Sequence, residues 1–417
     1  MTHALIIGGG IAGSVTAIAL QRVGIDATVY EAHTTPAHEV GASMGISLNG
    51  LAALRTLDAH AAVRDAGFPV PRGDMWLGNG RHLGAQDTGT PLPDGTLPVV
   101  IRRSDLYAVL RQEAIRRGVP IHHGKRLAGV EHRGGRVAAL FDDGTEAVGD
   151  LLIGADGIGS TVRSHVDPRA PRPRYVGLIG TGGITSEITP TSEPGTMHMV
   201  FGRRAFFASM VSPDGGVWWF VNLPRAHEPS GTDLTAITGP EWQQRLLRAF
   251  TGDRSPAVEC IRATTPDYTW FPMHDMPPPR RWHRGRVVLV GDAAHVTSPS
   301  SGQGASMAFE DAVQLARCLR DRRYPGDAFR AYQQLRDGRV GKVLAGARQV
   351  NRSKSATGVG RVLRDVTFPL FMRRFNTPRA FAWLYDYRID FDRPVDDAAS
   401  VGRGTRRVLA DVRRRTR

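Results

Sequence analysis

His3-Ala4-Leu5-Ile6-Ile7-Gly8-Gly9-Gly10-Ile11-Ala12-Gly13 is the stretch from which the fold is read. A short apolar run, a cluster of glycines and an Ala/Ile/Leu-rich segment that continues to Val23 and stops at Gly24 predict strand, tight turn and helix. In that arrangement Gly8 permits the turn, Gly10 lets the backbone approach a pyrophosphate, and Gly13 lets the helix pack close to the sheet. The helix N-terminus then faces negative charge. Ala27-Thr28-Val29-Tyr30 reads as a second strand, and Glu31 ends it at roughly the 20-residue offset of a dinucleotide-binding βαβ unit. A carboxylate there accepts from ribose hydroxyls and repels a 2′-phosphate, so the site suits FAD rather than NADPH.

Two later segments have the same character. Residues 150–153 read as a buried strand ahead of Gly154-Ala155-Asp156-Gly157, and residues 286–290 as another ahead of Gly291-Asp292-Ala293-Ala294-His295. Pro299 and Gly302-Gln303-Gly304-Ala305 follow. Asp292, at a strand end, is placed to accept from ribityl or ribose hydroxyls. Gly302, Gly304 and Ala305 open a helix whose positive end can face the pyrimidine carbonyl of a flavin and favour its reduced, anionic form.

Between these segments the punctuation changes. Residues 75–100 and 174–275 are rich in Gly, Thr, Pro and aromatics, with short alternating runs that predict an antiparallel sheet. The expected class is α/β: an FAD-binding, Rossmann-like three-layer domain with an inserted antiparallel-sheet substrate domain and a helical C-terminal region. The expected boundaries are 1–74, 101–173 and 276–330 for the cofactor domain, 75–100 and 174–275 for the sheet domain, and 331–417 for the C-terminal region.

Composition removes several classes of function. The chain has 417 residues, 41% of them hydrophobic, enough for a large core. Its formal charge of +14 is carried almost wholly by scattered arginines, with Lys125, Lys342 and Lys354 the only lysines. The densest run, Arg413-Arg414-Arg415 with Arg417, is terminal. This pattern argues against a nucleic-acid site, while a positive field can still attract anionic NADPH or a carboxylated substrate. No run of about 18 apolar residues and no leader-like N-terminus appears, so a cytoplasmic protein without membrane contact is expected, as monomer or homodimer. Cys260 and Cys318 form no metal knuckle, and no metal is expected.

The three fingerprints together resemble those of the single-component FAD-dependent aromatic hydroxylases of the para-hydroxybenzoate hydroxylase type, over residues 1 to about 330. The resemblance implies FAD held by Gly8, Gly10, Ile11, Ala12, Gly13, Glu31, Arg103, Asp156, Asp292, Pro299, Gly302, Gly304 and Ala305. Arg103 matches the arginine placed against the FAD pyrophosphate or ribose, and Pro299 the proline beside the isoalloxazine. It also implies NAD(P)H as a transient co-substrate, since no second glycine-rich βαβ unit is present. In this family a flavin 4a-hydroperoxide hydroxylates or epoxidises the substrate. The short C-terminal part resembles the smaller tailoring and degradative members, including salicylate-type hydroxylases and tetracycline-inactivating monooxygenases, and the expected substrate is an aromatic or polycyclic natural product.

Trp219, Trp270, Phe271 and Phe207 fall in the expected sheet and are candidates for lining the substrate pocket, with core packing the equal alternative. His198, His274, Tyr107 and Arg203 could orient a polar substrate group. No catalytic acid or base is named, and His295 reads as structural. Three rival readings stand beside this one. A flavin-dependent halogenase needs an early lysine, and none precedes Lys125. A saturating reductase of the geranylgeranyl reductase type shares the fold, and a non-enzymatic flavin-binding protein is the alternative from another class.

Overall fold

The structure is a computed structural model that describes residues 2–35, 43–190, 192–375 and 377–395; the Arg413–Arg417 run and the end of the expected C-terminal region lie outside these. The first strand, β1 (His3–Ile7), is followed by α1 (Ile11–Gln21) and β2 (Asp26–Tyr30). Next come β3 (Arg72–Leu77), β4 (His82–Asp87), β5 (Val99–Arg102) and α2 (Arg103–Arg116). The middle of the chain gives β6 (Leu151–Gly154), β7 (Arg174–Thr185), β8 (Thr196–Phe201), β9 (Phe206–Val211) and β10 (Val217–Pro224). Then follow α3 (Gly239–Phe250), α4 (Ala257–Arg262), β11 (Phe271–Asp275) and β12 (Val287–Leu289). Three helices succeed them: α5 (Gly304–Asp321), α6 (Pro325–Ser355) and α7 (Gly358–Phe375).

Two sheets organise the chain. The first has the order His283–Arg284, β12, β6, β1, β2, Ile121–His122, and is parallel except for the antiparallel edge pair at His283–Arg284. Its middle strands are apolar along their whole length because helices and sheets cover both faces, as parallel sheets require. Leu5, Ile6, Leu152, Ile153 and Val288 are fully buried. The second sheet has seven strands in the order β11-β7-β10-β9-β8-β3-β4, antiparallel but for the β8·β3 pair. β5 joins neither sheet; it pairs with Ser43–Ile46 and Phe68–Pro69.

Both faces of the seven-stranded sheet are covered. Val217, Trp219 and Val221 of β10 and Phe207 of β9 pack with Leu246, Phe250, Cys260 and Ile261 of α3 and α4. Trp218 and Phe220 point the other way, toward Phe68, Val70 and Val100, while Phe201, Phe206 and Ala208 meet Phe368 and Met372 of α7. This second face, turned toward β5, α6 and α7, is called the inner face below.

Candidate cofactor and active site

The glycine turn is fixed by close contacts. Gly8 has φ +104°, and a Cβ on it would stand 2.5 Å from the Ala155 carbonyl oxygen. A Cβ on Gly13 would stand 1.9 Å from the Gly8 carbonyl oxygen. Around Gly10, by contrast, a Cβ would meet nothing within 4 Å. Gly8 and Gly13 therefore serve the packing of α1 on the sheet, and Gly10 leaves room in front of it. No side chain caps α1, and its first turn carries no acid, so the leading amides of the helix are left without a side-chain acceptor.

Glu31 works on this turn directly. Its Oε2 accepts from the Gly9 amide at 2.7 Å and its Oε1 from the His33 amide at 2.9 Å. The carboxylate is thus preorganised beside the turn, with lone pairs left for hydroxyl donors. Tyr107 of α2 lies close enough to Glu31 for the carboxylate charge to add to the burial that raises the phenol pKa.

Asp156, expected among the cofactor-binding residues, is also engaged by its own turn. Its carboxylate accepts from Ser160 Oγ at 2.5 Å and from the Val162 amide at 3.1 Å, closing the turn into the helix Thr161–Val166. Burial raises its pKa against these hydrogen bonds. Arg163, seven residues beyond Asp156, is the link between segments. Its guanidinium donates to the carbonyl oxygens of Ile158 at 2.6 Å and Ala293 at 3.2 Å. The middle and late fingerprints are clamped together by this one buried side chain.

In the late fingerprint, Asp292, Pro299 and Gly302 are exposed while their neighbours Gly291, Ala293 and Ser298 are buried. Asp292 is open to solvent, yet protein surrounds it at longer range. That surround raises its pKa, opposed by the charges of His295, Arg103 and Arg163. The structure therefore brings Arg103, at the start of α2, into electrostatic reach of Asp292. Pro299 stands in a short helical turn capped by Ser298 Oγ. Beyond it, Gly302 has φ +61° and Gly304 opens α5, with nothing within 4 Å of a Cβ on either. The N-terminus of α5 has no side-chain cap and no acid in its first turn.

These observations test the fit of FAD. Two bare helix N-termini, open glycines at 10, 302 and 304, and accessible carboxylates at 31 and 292 supply donors for a pyrophosphate and acceptors for sugar hydroxyls. The residues present fit the group.

A buried ion network supports the late segment, and its pairing was not legible in the sequence. Asp311 Oδ2 accepts from the Gly291 amide at 2.8 Å and pairs with His295 Nε2 at 2.7 Å, while Oδ1 accepts from Arg336 Nε at 2.7 Å. Glu310 pairs with Arg336 and Arg339 and accepts from Asn49 Nδ2 at 2.7 Å. Burial alone would raise the Asp311 carboxyl, but His295 and Arg336 outweigh it and hold it at about 2. His295, through Asp311, locks the Gly-Asp turn to α5.

Of the four candidate pocket aromatics, three face away from the cofactor domain. Trp219 and Phe207 lie on the outer face against α3 and α4, with the Trp219 indole N–H donating to Thr264 Oγ1 at 2.9 Å. Trp270 lies 4.1 Å, centroid to centroid, from Trp242. These are corrections to the reading of a pocket wall, and their cause is the strand phase. Phe271 alone is on the inner face, where its ring fills the space over Gly180. Other aromatics that turn inward include Trp218, Phe220 and Phe206, and the Arg102 guanidinium lies 5.3 Å from the Trp218 ring centroid. Among the polar candidates, His274 pairs with Glu228 at 2.7 Å, the Arg203 amide donates to Asp253, and His198 lies 5.7 Å from the outer-face Trp76. None reaches the inner face. No group of His, Cys, Asp and Glu among the described residues is arranged to hold a metal ion.

Comparison with known proteins agrees with this geometry. Residues 1–336 match the family model described as FAD binding domain. The chain is 31% identical over 351 residues to the aurachin C monooxygenase/isomerase of Stigmatella aurantiaca, covering 84% of this chain and 88% of that one. It is 33% identical over 353 residues to the FAD-dependent urate hydroxylase of Klebsiella pneumoniae, covering 83% and 88%. The solved structure of Klebsiella pneumoniae HpxO complexed with FAD and uric acid superposes with a TM-score of 0.80 at 27% identity, over 92% of this chain and 97% of that one. The chain belongs to this FAD binding domain family and is an FAD-dependent monooxygenase.

Proposed function

We propose that this enzyme uses NAD(P)H and O2 to hydroxylate or epoxidise an aromatic or polycyclic small molecule held between the inner face of the second sheet and the cofactor cradle. The observation that carries the reading is the position of Trp218. It stands on the inner face with Phe220 and Met210 beside Phe68 and Val100, and under Arg102, the residue before Arg103. A flat ring laid on these apolar side chains would lie beside Arg102, whose chain neighbour Arg103 is within electrostatic range of Asp292.

FAD, when bound, supplies the reduction by NAD(P)H and the activation of O2. The chain supplies binding and environment. Gly10, Ile11, Ala12 and Gly13 would present helix amides to the pyrophosphate, Glu31 would accept from the adenosine ribose hydroxyls, and Arg103 would lie against the pyrophosphate or ribose. Asp292 would accept from ribityl or ribose hydroxyls, Pro299 would stand beside the ring, and Gly302, Gly304 and Ala305 would direct the positive end of α5 at developing negative charge. The apolar inner face excludes water from the reacting atoms. A relative named for urate hydroxylation supports a planar substrate.

The same reading divides the chain into the cofactor unit, the inserted sheet and the helical C-terminal region as the sequence suggested, and assigns the enzyme to the cytoplasm. No helix of the described residues is long and apolar enough to cross a membrane.

The test is oxidation of NADH and of NADPH by the purified yellow protein, followed with an oxygen electrode across phenols, hydroxyquinolines and polycyclic aromatics. Substrate-stimulated oxygen uptake with a product heavier by one oxygen is expected. Flavin reduction that no aromatic stimulates, with a saturated product instead, would move the enzyme to the reductase class.

A further inference from the structure

Lys354 is the one lysine of the chain that is buried, at 7% exposure. Lys125 pairs with Asp143 at 2.6 Å, and Lys342 lies over the Trp383 ring. Lys354 projects from α6 onto the inner face of the substrate sheet. Its Nζ donates to Asn222 Oδ1 at 2.8 Å and stands 3.9 Å from the Phe206 ring centroid and 5.8 Å from that of Phe220. No carboxylate pairs with it among the described residues, whereas the other buried cations of this region are matched. Arg336 has Glu310 and Asp311, and Arg364 has Asp365.

An ammonium carries three donors, and here a neutral amide and two ring faces are all that meet them. Isolated buried charge is costly, and native proteins pair it. The position ties this group to the reaction site. Asn351, one helical turn earlier on α6, accepts from Ser298 Oγ at 3.0 Å, and Ser298 caps the turn that carries Pro299. The Asn351 Nδ2 is itself buried without a partner. Two donors, one unpartnered and one uncompensated, thus stand one turn apart beside the flavin loop and the aromatic wall.

We propose that Lys354 is a substrate-binding residue whose ammonium takes a single ionised ring oxygen, a phenolate or enolate, of the aromatic substrate lying against Phe206 and Phe220. This rests on the monooxygenase reading above and narrows its substrate class. A carboxylate would match the two-pronged fork of an arginine, the cation this chain otherwise favours, while a lone oxyanion matches a compact point charge. Desolvation pushes the Lys354 ammonium down to about 7 when the protein is alone, and an arriving oxyanion restores the charged form. An electron-rich phenolate is also the better nucleophile toward an electrophilic oxygen donor.

Direct binding to the FAD-loaded enzyme separates this claim from turnover. The probes are 7-hydroxycoumarin, whose absorbance reports its ionisation, 7-methoxycoumarin, which cannot ionise, and coumarin-3-carboxylate. The wild type is expected to bind 7-hydroxycoumarin as its anion, tighter than 7-methoxycoumarin by roughly tenfold to a hundredfold, the range of a charge-assisted hydrogen bond. Lys354→Met, nearly the same shape without the charge, is expected to lose that preference while keeping its FAD content and its affinity for 7-methoxycoumarin, and Lys354→Gln serves as a second variant. An equal preference for the anion in the wild type and both variants, a wild type that binds the phenol and its ether alike or neither, or a preference for the carboxylate would each overturn the assignment. Failure of oxygen uptake with every substrate would instead strike the monooxygenase reading and leave these binding results standing.

Discussion

A Cβ placed on Gly13 would stand 1.9 Å from the carbonyl oxygen of Gly8. This contact sets how closely α1 approaches the end of β1, and with it the position of the helix amides. Gly13→Ala is expected to cost about 3 kcal/mol of stability or more, since neither partner is the end of a flexible side chain. Thermal unfolding of the apoprotein reads it directly. An unchanged midpoint would show that the turn relaxes freely.

Gly10 gives the complementary case. Its backbone is extended, with φ −70° and ψ −166°, and the space around it is open. Gly10→Val should therefore leave the apoprotein as stable as the parent while stripping FAD, because the new side chain stands where the pyrophosphate belongs. Flavin absorbance after gel filtration measures this. Full flavin occupancy in the valine variant would contradict the placement of the cofactor.

Glu31 holds the Gly9 amide as well as offering acceptors to a sugar. Glu31→Ala thus leaves a backbone donor without its partner and loses the hydroxyl contacts, and is expected to weaken FAD binding by about 1–3 kcal/mol. Glu31→Gln, which still accepts from Gly9, should lose less. Titration of apoprotein with FAD distinguishes the two.

The inner and outer faces of β10 make opposite expectations for adjacent tryptophans. Trp219→Ala empties the packing against α3 and α4 and should cost roughly 3–5 kcal/mol of stability, with substrate KM little altered in whatever protein remains folded. Trp218→Ala and Phe220→Ala should raise KM for the aromatic substrate at smaller cost in stability. Steady-state kinetics with parallel melting curves test the assignment of faces.

Asp311 ties pH to stability. Its folded pKa, held at about 2 by His295 and Arg336 against the opposing effect of burial, lies below the roughly 3.9 of an unfolded aspartate. The unfolded chain binds a proton first as pH falls, so the stabilisation is complete above about pH 5 and is lost between about pH 4 and 2. Asp311→Asn leaves Arg336 partly unpaired and is expected to cost about 3–5 kcal/mol near neutral pH. Its melting temperature should also fall less steeply than that of the parent across the acid window.

The β1-α1-β2 unit and the late Gly-Asp segment were legible because local rules fix them: a glycine that must pack under a carbonyl and an acid at a strand end leave their pattern in contiguous residues. The face of β10 was not. Val217-Trp218-Trp219-Phe220-Val221 is apolar throughout because both sides of that sheet are covered, so no polar alternation marks the phase and a slip of one residue exchanges pocket for core. The pairing of Asp311 with Arg336 joins two helices, and no periodicity connects their positions. Lys354 lies in the polar run Asn351-Arg352-Ser353-Lys354-Ser355, which reads as solvated until the sheet is seen beside it.

The most direct test of the central claim is turnover under isotopically heavy dioxygen with NAD(P)H and the aromatic that most stimulates oxygen uptake. One heavy atom in the product and the other in water is the expected result. A product free of the label, formed with full consumption of NAD(P)H, would contradict a monooxygenase whose substrate lies between the aromatic face and the cofactor cradle.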